Sequence, residues 1–102
     1  MRDELKFYRG DDVRWSSQAQ GTWKKKTGQI IAVVPPRSQP EDTLYQKNIN
    51  TAEYYSYEFG NPRDHESYII AVNGKTNRAK PRLYWPKVKG LELDGGNNGT
   101  NN

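Results

Sequence analysis

Alternating apolar and polar residues mark short β-strands in the first third of the chain. Val13-Arg14-Trp15 alternates in this way directly after Gly10-Asp11-Asp12, a turn signal. Residues 29–34 are rich in β-branched side chains and stop at Pro35-Pro36, which is typical of a strand ended by proline. The polar residues 16–21 between these segments predict a loop, with Trp23 and three lysines beside it.

The last third of the chain also contains segments that predict short β-strands. Residues 67–72 alternate as a strand, and Asn73-Gly74 is a strong hairpin signal because both residues tolerate positive φ. Residues 80–85 then return as the partner strand. Residues 87–89 fit one helical turn, and residues 90–93 a short closing strand. These segments predict the following core residues: Val13, Ile30, Ile70, Val72, Leu83 and Leu91.

A polar stretch of about thirty residues, 35–66, separates the second and third predicted strands. Residues 37–42 have the composition of an exposed loop, and the aromatic residues 54–59 predict one short strand. A loop this long is unusual in a small domain. We expect part of residues 35–50 to be mobile, and the tail 94–102 to be disordered, because both bury almost no apolar side chains.

The predicted order of elements favours an all-β fold, a small antiparallel barrel with a long insertion between its second and third core strands. Antiparallel strands joined by hairpins can close into a barrel, which removes their unpaired edges. Only 32% of the residues are hydrophobic, but three Trp, seven Tyr and two Phe supply large apolar surfaces. Residues 1–93 are therefore predicted to form one domain.

Two stretches resemble the SH3-like barrels of the Tudor and KOW types. The opening Gly10 to Trp15, followed by Gly28-Gln29-Ile30-Ile31, resembles their "Gly-Asp-x-Val … Gly-x-Ile/Val" pattern, and Tyr84-Trp85-Pro86 through Leu91 resembles their closing segment. The nearest named pattern is the Tudor-like domain of hypervirulence-associated proteins. The resemblance implies an SH3-like barrel in which one tight turn separates the fourth and fifth strands, and it covers about half of the chain.

Several function classes are disfavoured by residue usage. The chain has no Cys, which removes disulfides, zinc knuckles and thiol nucleophiles from consideration. Its single histidine, His65, is predicted to be a solvated loop residue, since its neighbouring carboxylates point to opposite sides of an extended chain. We therefore expect no enzymatic activity, no metal and no cofactor. The charged first eight residues and the short apolar runs favour a soluble, cytoplasmic protein without a signal peptide or membrane span.

The net charge of +4 is unevenly distributed. Residues 9–37 carry a net +4, residues 38–66 a net −4, and residues 67–93 a net +5. Cations lie near aromatic residues in both basic segments, and this mixture suits phosphate neutralisation combined with base stacking. The leading hypothesis is a non-specific DNA- or RNA-binding module that uses Trp23, Lys24, Lys25, Lys26, Arg82, Tyr84, Lys87 and Lys89.

The alternative hypothesis is a protein-interaction module, for example an accessory protein of a phage or mobile element. Tyrosine is favoured at the centre of protein interfaces, and the acidic insertion contains four candidate tyrosines. They are Tyr45, Tyr54, Tyr55 and Tyr57. The sequence leaves the oligomeric state and the identity of the partner open.

Overall fold

Five strands and one short helix form the framework of the chain. The computed structural model describes residues 6–19, 21–55, 57–74, 76 and 78–94. The strands are β1 (Asp12–Ala19), β2 (Thr22–Val34), β3 (Ser67–Val72), β4 (Arg82–Tyr84) and β5 (Glu92–Leu93), the helix is α1 (Pro40–Gln46), and two 3-10 turns span Thr51–Glu53 and Val88–Gly90.

All five strands belong to one antiparallel sheet with the order β4-β3-β2-β1-β5. The all-β class is therefore confirmed at the level of a mostly-β fold. Among the described residues no pairing joins β4 to β5, so the sheet is open and does not close into the predicted barrel. The 3-10 turn Val88–Gly90 lies between these two edge strands along the chain.

The first two strands form a longer hairpin than the sequence indicates. Their pairing runs from Asp12↔Gln29 to Ala19↔Thr22, so the chain reverses within two residues. The prediction of a polar loop is therefore wrong for residues 16–19, which belong to β1. Cross-strand hydrogen bonding carries the polar residues Ser16 and Ser17 into the strand, because the backbone pairs regardless of side-chain polarity.

A β-bulge in β2 lets the sheet bury both of its faces. The register shifts between Ile30, which pairs with Ile70, and Ala32, which pairs with Ile69. One extra residue on the bulged strand exchanges the faces of the residues that follow it. Ile30 therefore packs on one face and Ala32 on the other.

Two hydrophobic clusters lie on these opposite faces. The first cluster is Phe7, Val13, Trp15, Ile30, Tyr68, Ile70 and Leu91. The second cluster is Ala32, Val34, Leu44, Phe59, Ile69 and Leu83. Of the predicted core residues all are buried except Val72, which is partly buried and packs against the first cluster.

The insertion between β2 and β3 covers the second face of the sheet. Helix α1 begins at Pro40, a residue suited to the first turn of a helix, and buries Leu44 in the second cluster. Burying a leucine contributes about 1.5–3 kcal/mol. The expectation that residues 37–42 form an exposed loop, and that residues 35–50 bury almost nothing, is therefore wrong.

Three other segments differ from the sequence expectations: residues 54–59, the connection after β3 and the start of the predicted tail. The described part of residues 54–59 forms no strand, and Phe59 packs as a buried ring in the second cluster. Residues 73–81 join β3 to β4, so Asn73-Gly74 does not close a two-residue hairpin. At the predicted tail, Asp94 donates a backbone hydrogen bond to Asp12, whereas residues 95–102 lie outside the described part of the chain.

Candidate nucleic-acid groove

An open groove with a volume of about 900 Å³ lies between the β1–β2 hairpin and the segment that links β4 to β5. Basic and aromatic side chains dominate its lining. The groove-lining residues are Arg14, Trp15, Ser16, Ser17, Trp23, Lys25, Tyr84, Trp85, Pro86, Lys87, Lys89, Gly90 and Glu92.

The hairpin supplies one side of the groove. Residues two apart in a strand point to the same face, so Trp23 and Lys25 project together from β2. Lys25 pairs with Ser16, which also lines the groove. Trp23 is 68% exposed, which is unusual for an indole and leaves its ring accessible to a ligand.

The segment after β4 supplies the other side. Pro86 follows the strand, and the 3-10 turn Val88–Gly90 then carries the chain back to β1. β5 pairs with β1 through Arg14 and Glu92. This pairing holds the turn opposite the hairpin, so that Lys87 and Lys89, both exposed, reach the same groove as Lys25.

Most of the groove's aromatic rings are already engaged within the protein. Trp15 is buried and meets Tyr84 edge to face, with ring centroids 5.8 Å apart. Lys26 Nζ lies 4.9 Å from the centre of the Tyr84 ring. Trp85 meets Phe59 edge to face, with ring centroids 5.8 Å apart. Trp23 has no ring or cation contact within the described part of the chain, which makes it the available aromatic surface.

The cations of the groove fall into two groups. Arg14 is neutralised, since its guanidinium lies 3.2 Å from Glu92 Oε1 and 3.8 Å from Asp94 Oδ1. Lys25, Lys87 and Lys89 have no ion-pair partner within the described ranges. Three uncompensated ammonium groups therefore face one groove and give it a positive potential.

Arg63, which the sequence reasoning missed, fixes the position of the groove's second side. Its guanidinium lies over the Trp85 ring at 3.9 Å and donates hydrogen bonds to the carbonyls of Trp85 and Pro86, at 2.7 and 2.9 Å. Partial burial lowers the pKa of Arg63. Trp85 Nε1 also donates to Ser67 Oγ at 2.8 Å. Arg63 comes from a polar loop, and no local sequence signal points to this role.

The structure brings together most, but not all, of the predicted nucleic-acid residues. Trp23, Lys25, Tyr84, Lys87 and Lys89 line the groove. Lys26 borders it through its contact with Tyr84.

Lys24 and Arg82 do not line the groove. Lys24 is exposed and pairs with Ser17, but it is not among the residues that line the groove. Arg82 instead lies 5.3 Å from the centre of the Tyr55 ring, on the side of the insertion. The structure therefore does not bring these two residues into the groove with the other predicted residues.

The four tyrosines of the alternative site do not form one surface. Tyr54 and Tyr57 are partly buried against the second cluster, and Tyr57 meets Phe59 with centroids 4.4 Å apart. Tyr55 is 43% exposed and lies under Arg82. Tyr45, on α1, is 84% exposed.

His65 is exposed, with Nδ1 2.9 Å from Asp64 Oδ1, and this hydrogen bond lowers the pKa of the Asp64 carboxyl. Among the described residues no group of three or more His, Asp or Glu side chains is arranged to hold a metal ion. The helices in the described part of the chain are too short or too polar to cross a membrane.

Comparison of the chain with protein-family models, with curated proteins and with solved structures yields no significant match. The groove is therefore interpreted from its own geometry and charge.

Proposed function

We propose that the protein is a non-catalytic module that binds nucleic acid without base specificity through this groove. The observation that carries the proposal is the convergence of Lys25, Lys87 and Lys89 beside the exposed ring of Trp23. Lysines positioned along a groove neutralise backbone phosphates whatever the base sequence. The single α-helix described, α1, has seven residues and contributes none of them to the groove lining, so it offers no recognition helix to this groove.

We further propose that the sheet is a partly open SH3-like barrel of the Tudor or KOW type. Two features support this relationship. The strands follow a consecutive antiparallel order with β1 beside β5, and a single 3-10 turn separates β4 from β5. The insertion, which contributes Leu44 and Phe59 to the second cluster, is an addition to that compact pattern.

Protein interaction through the acidic insertion has less support, because two of its four tyrosines pack into the second cluster. If the protein did not bind nucleic acid, the exposed Tyr45 on α1 would be the centre of the candidate interaction surface.

The test is a titration of the protein against mixed-sequence oligonucleotides at several salt concentrations. If three phosphates are neutralised on a single strand, the slope of log K against log salt should be about −2. The variant Lys25→Ala/Lys87→Ala/Lys89→Ala should weaken binding to every oligonucleotide and flatten this slope.

A charge-matched control is available. Lys47, Arg78 and Lys80 are exposed and lie outside the groove, so their combined replacement by Ala removes the same charge elsewhere. The control variant should keep most of the affinity and the slope. Absence of binding at low salt, or equal losses in both triple variants, would refute the groove as a nucleic-acid site.

A further inference from the structure

We infer that the groove selects single-stranded over double-stranded nucleic acid, by stacking one unpaired base on Trp23 while Lys25, Lys87 and Lys89 hold the adjoining phosphates. This inference rests on the proposed function and adds the conformation of the ligand. It follows from the exposure of the aromatic rings in the groove, because some ring faces are already covered by other side chains and one is open to solvent.

Trp23 is the ring in the groove that is ready to receive a base. The Trp15 side chain is 7% exposed, and Trp85 carries the guanidinium of Arg63 against its face. Tyr84 has the ammonium group of Lys26 over its ring. Trp23 is 68% exposed and has no such occupant among the described residues. A base that leaves solvent to stack on this indole buries apolar surface on both partners.

The arrangement of the cations fits a flexible strand. Lys25 extends from the hairpin, whereas Lys87 and Lys89 extend from the opposite side of the groove. A single strand can pass between these two sides and place phosphates against both. Inside an intact duplex the face of each base is covered by its neighbours in the stack, so away from the duplex ends Trp23 has nothing to stack on without unpairing.

The test compares three probes of the same length: a mixed-sequence single strand, the corresponding duplex, and an abasic strand that keeps the phosphates but lacks the bases. Trp23→Ala should weaken binding of the ordinary single strand by about 5- to 150-fold, the range expected when one stacked base is lost. Its affinity for the duplex and for the abasic strand should stay at the parent value. Trp23→Phe should retain a large part of the single-strand affinity, because it keeps an aromatic face.

The probes separate failure of this inference from failure of the proposed function. Equal affinity for single strand and duplex, with Trp23→Ala changing neither, would overturn the stacking inference while nucleic-acid binding stood. If Trp23→Ala weakened binding of the abasic strand as much as binding of the ordinary single strand, the inference would also be overturned, because that loss of affinity could not come from a base. If no probe binds at low salt, the proposed function itself fails.

A spectroscopic measurement adds a readout that does not depend on affinity. Stacking of a base should quench the fluorescence of Trp23 when the single strand is added, and should not do so with the abasic strand. The quenching should vanish in Trp23→Phe, where Trp15 and Trp85 remain as internal references. Quenching that persists in this variant would assign the signal to the other two indoles and contradict the inference.

Discussion

The guanidinium of Arg63 lies 3.9 Å from the centre of the Trp85 ring and donates hydrogen bonds to two consecutive carbonyls, those of Trp85 and Pro86. Through this contact the insertion holds the backbone that leads to Lys87. The segment that covers the second face of the sheet therefore also fixes one side of the groove.

Replacing Arg63 by Lys should destabilise the protein by about 1.5–3 kcal/mol. A lysine keeps the charge but lacks the planar fork that bonds both carbonyls while lying on a ring. Denaturant unfolding measures this loss, and the affinity for oligonucleotides should fall under conditions where the variant is still folded. Arg78→Lys, at an exposed position, is the matched control and should change neither quantity. Equal stability of the two variants would contradict the role given to Arg63.

Adjacent lysines of the hairpin should differ in their contribution to binding. Lys25 lines the groove and Lys24 does not. Lys25→Ala should reduce oligonucleotide affinity and flatten the salt slope by about 0.7, the loss of one phosphate contact on a single strand. Lys24→Ala removes the same charge from the same strand and should have the smaller effect on both measurements. A larger loss from Lys24→Ala would show that the nucleic acid is bound mainly outside this groove.

Gly28 is required by the close approach of β2 to β3. A Cβ atom at this position would lie 2.6 Å from the carbonyl oxygen of Ala71 and 2.7 Å from Ile70 Cγ2. Gly28→Ala should therefore cost about 1–3 kcal/mol of the free energy of unfolding, as overpacking in a core does. Gly90→Ala meets no atom within 4 Å and should leave the midpoint of thermal unfolding nearly unchanged. Similar melting of the two variants would show that β2 and β3 are less closely packed than described.

The buried phenol of Tyr68 should make stability fall at alkaline pH. Tyr68 is 1% exposed, and burial raises the pKa of its hydroxyl, which accepts a hydrogen bond from the Phe7 amide and donates one to Glu66. Because the folded state holds this proton more tightly, the stabilisation is complete below the unfolded pKa of about 10 and is lost as pH rises through the folded pKa.

Unfolding free energies measured across this pH range test the effect of Tyr68. Tyr68→Phe should be less stable near neutral pH, because the Phe7 amide loses its acceptor, but its stability should depend less on alkaline pH. Tyr45→Phe, which changes a phenol that is 84% exposed, should retain the parent's dependence. An unchanged alkaline slope in Tyr68→Phe would assign that slope to other groups.

Local sequence patterns determined the strands that carry strong apolar signals. The β-branched run that ends at Pro35 predicts the last six residues of β2, and the alternation of residues 67–72 predicts β3, since side-chain alternation reflects the pleat directly. The segment beside the predicted loop is in fact paired strand, and Trp23 is exposed within it. The mixture of cations and aromatic residues in the sequence indicated the candidate nucleic-acid-binding side chains.

Only the tertiary structure decided how these elements face one another. The bulge between Ile30 and Ala32 exchanges faces within a uniformly apolar run, where hydrophobicity carries no periodic signal. Helix α1 is stabilised by burial of Leu44 against a sheet formed by distant residues, so its own seven residues contain little evidence for it. The groove joins Lys25 to Lys87 and Lys89 through the pairing of β5 with β1, a contact between segments more than sixty residues apart. Strand register decides such convergence, and register is a property of the assembled sheet.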